Sequence, residues 1–151
     1  MGDRTMLSEF FSADEFACRC CLQVRVHQRL LNALDDLRIL AAKPIHITRM
    51  GGCRCRRANE VAGGTRASLH LIEDADENQI QCKAADIYVI GLPLARLFRL
   101  AGSVPALELG GLGYYPQEGF IHVDVRHGKA RWARMVRGGQ YTQLPSELQG
   151  V

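Results

Sequence analysis

Three short stretches of this 151-residue chain carry residue types able to hold a metal ion: Ser68-Leu69-His70, Ala84-Ala85-Asp86-Ile87 and Ile121-His122-Val123-Asp124. Two imidazoles and one carboxylate make a three-ligand set that leaves the fourth position of a zinc ion open to water, the arrangement of hydrolytic zinc sites, and such a site can hydrolyse an amide. A second reactive group is the cysteines, clustered as Cys18, Cys20, Cys21 and then Cys53, Cys55, with Cys82 alone. These five clustered thiols could form a structural zinc site. Their Cys-x-Cys spacing is tighter than the usual Cys-x-x-Cys of zinc ribbons, however, and buried free thiols or disulfides across the two loops compete with it.

The elements that must position these residues are legible from periodicity. Ser12 and Glu15 stand at capping-box spacing, so a short helix is expected after Ser12, carrying Phe16 inward. From Gln28 to Ala42, Leu30, Leu31, Leu34, Leu37, Leu40 and Ala41 recur at helical spacing, and Pro44 stops that helix before a short strand at Ile45-His46-Ile47-Thr48. The Gly- and Arg-rich stretch from Met50 to Ser68 reads as mostly loop, with a helical turn around Arg56 to Val61. Ile72 to Gln81, with Glu73, Asp74, Asp76 and Glu77, reads as a solvated excursion. Ala84 to Ile90 is a strand, Pro93 opens a helix to about Ala101, and Gly110 to Tyr115 leads into a further strand.

Phe120 to Val125 alternates strictly, which puts Phe120, His122 and Asp124 on one face and Ile121, Val123 and Val125 on the other. His127-Gly128 is expected to turn the chain into a second hairpin arm, Ala130 to Val136, containing Trp132. The resulting expectation is an α+β fold: one small domain over residues 1–151, with a core of about 7–136 and a loosely attached tail at 137–151.

Composition narrows the function classes. Hydrophobic residues at 47% and charged residues at 23% supply one ordinary core, which argues against wholesale disorder. A formal charge of +3 is too small to require nucleic acid, and Arg54, Arg56, Arg57 and Arg66 lack the interleaved aromatics of a nucleic-acid surface. No apolar run reaches the roughly 18–20 residues that span a bilayer, so no membrane insertion is expected. The N-terminus shows no basic segment followed by an apolar one, which leads to an expectation of cytoplasmic synthesis.

The stretches Met50-Gly51-Gly52-Cys53-Arg54-Cys55, Asn59, Val61-Ala62-Gly63-Gly64, Ser68-Leu69-His70-Leu71, Lys83-Ala84-Ala85-Asp86-Ile87, Gly110-Gly111-Leu112-Gly113-Tyr114-Tyr115-Pro116 and Phe120-Ile121-His122-Val123-Asp124-Val125-Arg126 resemble the zinc D-alanyl-D-alanine carboxypeptidase family, which includes phage endolysins and murein endopeptidases. The resemblance runs from about Leu7 to Trp132. It implies an antiparallel sheet carrying a zinc site and flanked by helices, with peptidoglycan stem peptides or cross-links as substrate. It implies His70, Asp86 and His122 as ligands of one catalytic zinc ion. Arg54 takes the place of an arginine that contacts a substrate carboxylate or carbonyl, and Ser68 looks like a neighbouring polar contact. A signal-less member of this kind resembles a phage or prophage product, monomeric, that reaches the wall with another protein's help.

Two departures from the family pattern bear on activity. Many relatives place an acid three residues before the last ligand histidine and another histidine two before it; those places here are Gly119 and Phe120. Glu118 and Asp124 are the remaining candidates for the general base, with Glu118 preferred and Asp124 alternatively orienting a ligand. The missing acid also keeps open a catalytically silent zinc-binding module that holds wall fragments or a partner protein. The second departure is the acidic insertion at 72–81, read as a surface loop in preference to a lid.

Overall fold

The computed structural model describes residues 4–151. Its elements, in chain order, are α1 (Ala13–Phe16), α2 (Gln28–Ala41), β1 (His46–Ile47), α3 (Arg56–Val61), β2 (Ala84–Tyr88), α4 (Leu94–Ala101), α5 (Pro105–Glu108), β3 (Gly111–Tyr115), β4 (Phe120–Asp124), β5 (Ala130–Ala133) and a final 3-10 turn, Ser146–Leu148. The expected helices and strands are all present. The Glu15 carboxylate accepts from both the backbone N–H and the hydroxyl of Ser12, which starts α1. His27 caps α2 by accepting from the Arg29 N–H at 3.1 Å, and a left-handed Ala42 ends that helix.

The strands form one sheet in the order β1-β2-β4-β3-β5. Helices α2 and α4 cover one face, where Leu30, Leu34, Leu37, Leu97 and Phe98 meet Ile87, Leu112, Ile121 and Val123 in a contiguous buried core. Each buried Leu or Ile contributes roughly 1.5–3 kcal/mol by leaving water, so this face carries much of the stability. Strand alternation therefore sends the intervening residues Asp86 and His122 to the opposite face, away from the helices.

Two expectations are corrected. Ala130 to Ala133 does not return as a hairpin arm against β4: it pairs with β3, in parallel, with Trp132 opposite Gly113. The reason is that both edges of β4 are already occupied, by β2 and by β3, so the chain must cross to the free edge of β3. The sheet is therefore antiparallel except for this last pair. The C-terminal segment, expected to be loosely attached, is docked. Ala133 and Thr142 exchange backbone hydrogen bonds of 2.9 and 2.8 Å, and Leu144 and Leu148 are buried. Two apolar residues without periodicity gave no signal of this in the sequence. The four-residue α5, opened by Pro105, also went unread for lack of length.

Candidate metal centre

Asp86 on β2 and His122 on β4 are direct cross-strand partners, which puts their side chains side by side on the helix-free face. His122 Nδ1 lies 3.1 Å from Asp86 Oδ1. His70 arrives from the turn before Leu71, with Nε2 3.4 Å from the same carboxylate oxygen. The donor atoms of these three residues all lie within 4.8 Å of one another, and all three residues belong to one pocket of about 580 Å³. Two ligand bonds of about 2.0–2.1 Å at a tetrahedral angle hold their donors about 3.3 Å apart. The separations seen here, 3.1 and 3.4 Å, match that requirement, and the N, N, O donor set fits zinc.

Each imidazole is oriented by a partner on its other nitrogen. His70 Nδ1 sits 3.0 Å from the Gly52 carbonyl, which can only accept, so Nδ1 carries the proton and Nε2 turns its lone pair to the cluster. His122 Nε2 sits 2.8 Å from Asp124 Oδ2, leaving Nδ1 to face Asp86. Asp124 is fully buried and saturated: Arg126 donates Nε and Nη2 to it, and the backbone N–H groups of Gly111 and Arg126 donate to Oδ1. A side chain at Gly111 would collide with this carboxylate, so glycine there admits Asp124 into the sheet. Likewise a Cβ at Gly113 would approach Trp132 to 2.6 Å; its absence lets the Trp132 ring lie beside His122, centroids 5.2 Å apart.

The electrostatics follow from this packing. Burial alone would raise the Asp86 carboxyl, but the adjoining His70 and His122 outweigh it and hold the group well below the usual carboxylate range. Burial pushes the His70 imidazole below its ordinary value. It acts the same way on His122, where the hydrogen bonds to Asp124 and Asp86 outweigh it and carry the group up to about 9. The Asp86 carboxylate therefore stays ionised between the two imidazoles.

The remaining expected site residues are distributed less simply. Arg54 lines the pocket but is partly committed, with Nη2 2.9 Å from Asp86 Oδ2 and Nε donating to the Met50 carbonyl at 2.7 Å. Ser68 also lines the pocket, its hydroxyl accepting from the His70 N–H at 3.3 Å. Asp124 sits across the imidazole ring of His122 from the cluster, with both oxygens engaged, a position suited to bracing His122 rather than to taking a proton in the pocket. Glu118 is absent from the pocket lining. Its Oε1 accepts from Arg134 Nη2 at 2.7 Å and Nε at 3.1 Å, while Oε2 is buried without a hydrogen-bond partner.

Sequence reading missed Tyr115, Trp132, Arg134 and Tyr141, which form one wall of the pocket. The alternation Trp132, Arg134 was available as a signal, but without the β3 pairing it pointed nowhere. Of the other histidines, His27 caps α2 and His46 stacks on Tyr88 with centroids 5.2 Å apart. Among the described residues, one further group of potential ligands exists, Cys18, Cys21 and Cys55. Cys53 is not part of it and lies against Cys82.

Comparison with known proteins bears on this geometry. The profile of the peptidase M15 family matches residues 8–124. A 73-residue stretch is 36% identical to the probable peptidoglycan L,D-endopeptidase MepK of Haemophilus influenzae, covering 48% of this chain and 37% of that protein. The match thus spans little more than a third of that relative's length. No solved structure gives a significant match.

Proposed function

The chain belongs to the peptidase M15 family, and from that premise we propose that it is a zinc-dependent peptidase that hydrolyses amide bonds in peptidoglycan stem peptides or cross-links. One observation carries the reading: His70, Asp86 and His122 converge at donor spacing for a single ion, in a pocket large enough for a peptide segment. A structural ion would be closed by a fourth protein ligand, whereas three ligands facing a cleft leave a place for reactants. The chemistry that such an ion supplies is Lewis acidity toward a carbonyl oxygen and toward water.

The chain's own residues supply orientation, charge and proton transfer. Asp124, locked by Arg126 and the Gly111 N–H, keeps the His122 ring fixed, and the Gly52 carbonyl does the same for His70. Arg54, Arg126 and Arg134 line the pocket and give it a positive wall suited to the carboxylates of stem peptides. Arg54 fixes Asp86 through Nη2 while its guanidinium borders the space where a substrate carbonyl or carboxylate enters. Ser68 offers a neighbouring hydroxyl. Glu118 stands behind Arg134 of the pocket wall and outside the lining itself; of the two candidate bases it alone keeps an uncommitted oxygen, Oε2, and proton transfer is assigned to it on that ground.

The name of the relative directs attention first to an L,D bond, and an endopeptidase on such a bond is the finer reading. Purified peptidoglycan digested with the zinc-loaded chain and read by mass spectrometry tests it. New termini within stem peptides are expected; release of terminal D-alanine alone would make the chain a carboxypeptidase. Bound zinc with no new termini of either kind would leave the silent binding module as the correct reading.

A further inference from the structure

The Cys18, Cys21 and Cys55 thiols converge at a place that the pocket does not reach, and their sulfur atoms all lie within 4.8 Å of one another. Cys18 and Cys55 are buried and Cys21 is exposed. Two tetrahedral zinc–sulfur bonds of about 2.3 Å place their sulfurs about 3.8 Å apart, so the convergence is on the scale of one ion's coordination shell. Cys18 and Cys21 stand at Cys-x-x-Cys spacing, a relation obscured in the sequence by Cys20 between them. Cys20 belongs to the same turn, and its thiol adjoins that of Cys55.

Backbone N–H groups converge on two of these sulfurs. The Cys55 N–H lies 3.3 Å from Cys18 Sγ, and the N–H groups of Cys20 and Cys21 point at the same sulfur. The Ala58 N–H lies 3.5 Å from Cys55 Sγ. Donors aimed at sulfur stabilise it as an anion, whereas an inert buried thiol seeks acceptors. The contrast is present in the same molecule: Cys82, fully buried, donates to the Ala84 carbonyl at 3.1 Å. A disulfide would use two of the converging sulfurs and leave the third facing it.

We infer that Cys18, Cys21 and Cys55, completed by Cys20, bind a structural zinc ion distinct from the one in the peptidase pocket. The ion ties the turn after α1 to the N-cap of α3. Between these two points runs the segment that supports the pocket: the Cys53 N–H donates to the Phe16 carbonyl at 2.8 Å, and the Arg54 N–H to the His70 carbonyl at 2.8 Å. Gly52 and Arg54 of that segment hold His70 and Asp86. A sulfur-bound ion on one side thus fixes the backbone that orients two nitrogen and oxygen donors on the other.

The test is metal analysis of the full chain purified under reducing conditions, followed by cobalt(II) substitution. Two zinc ions per chain are expected, falling to one in His70→Ala and to one in Cys21→Ser. The cobalt protein is expected to show thiolate-to-cobalt charge-transfer absorption that survives in His70→Ala and in the control Cys53→Ser and disappears in Cys21→Ser. Because Cys21 is exposed, its serine variant removes a ligand without opening the core. The peptidase pocket contains no sulfur donor, so this absorption reports on the cysteine cluster whether or not the chain hydrolyses peptidoglycan. Absence of the absorption in the wild-type chain, its persistence in Cys21→Ser, or a non-reduced mass two hydrogens short through a Cys18, Cys21 or Cys55 disulfide would overturn the inference.

Discussion

The two ligand clusters lie on opposite sides of one short segment, residues 52–55, and are built on different principles. The His70, Asp86, His122 cluster draws its donors from a turn and two central strands, and it opens on a pocket with aromatic and arginine walls. Every one of its donors has an orienting partner: Gly52 for His70, Arg54 for Asp86, Asp124 for His122. The cysteine cluster draws its donors from a turn and a helix cap, faces no pocket, and is surrounded by backbone N–H groups. Mixed nitrogen and oxygen donors beside a cleft are arranged to act on a reactant. Sulfur donors away from any cleft suit the structural role inferred for them, holding the chain together.

The comparison breaks most decisively at the ligands. His70→Ala, Asp86→Ala or His122→Ala is expected to remove one zinc ion and to abolish peptidoglycan hydrolysis while the chain stays folded, since all three sit on the face away from the helix-packed core. Metal analysis, a digestion assay and circular dichroism check this together. Retention of both zinc ions in any one variant would remove that residue from the ligand set. The mirror experiment, Cys55→Ser, is expected to lower the melting temperature first, with activity following only as the 52–55 segment loosens.

A smaller loss separates chemistry from binding within the pocket. Glu118→Gln keeps an oxygen for Arg134 but cannot take a proton, so kcat is expected to fall by about 10²–10⁴ with zinc content unchanged. If Glu118 serves only to hold Arg134, the glutamine variant will keep its rate and Glu118→Ala will lose it, mainly through KM. Steady-state kinetics on a defined stem peptide read the difference.

How far each cluster was legible in the sequence follows from the same contrast. The alternation of Phe120 to Asp124 correctly assigned His122 to the face opposite Ile121 and Val123, because the period of a strand is local information. It also placed Asp124 on the face of His122, but sharing a face does not say whether a carboxylate points toward the reactants or braces the ring from behind. The Gly111 and Arg126 contacts decide that, and they depend on the β3–β4 pairing. The position of β5 was hidden for a related reason: which strand edges remain free is a property of the whole sheet. Glu118 and Arg134 are 16 residues apart on segments whose contact only that sheet order creates. The cysteines were visible as residues but not as a set, since Cys53 and Cys55 look equivalent in sequence while backbone direction sends one to Cys82 and the other to Cys18.

Asp124→Asn sharpens the assignment of bracing residues. The amide can still meet the His122 ring but no longer offers Arg126 and His122 a charge, and loss of such an orienting carboxylate typically costs about 10–100-fold in metal affinity or activity. The variant is expected to need more free zinc for half-maximal activity and to recover much of its rate at saturating zinc. A base would not be rescued by metal, so an irrecoverable rate at full zinc loading would return Asp124 to the chemistry.

The smallest effect is expected where neither cluster is involved. The inserted segment after Ile72 folds back on itself: Asp74 accepts from the backbone N–H groups of Asp76 and Asn78, both at 2.9 Å, and from the Asn78 side chain at 3.1 Å. It docks on α3 through Glu73, whose carboxylate accepts from the Arg56 N–H at 2.7 Å, and none of its residues lines the pocket. A loop anchored on the helix that the cysteine cluster caps belongs with the scaffold rather than with the cleft. Asp74→Ala, which removes the three turn bonds at an exposed site, is therefore expected to leave hydrolysis within about twofold of the parent, as surface substitutions usually do. A drop in kcat/KM of an order of magnitude, with both zinc ions retained, would show instead that this segment covers the substrate.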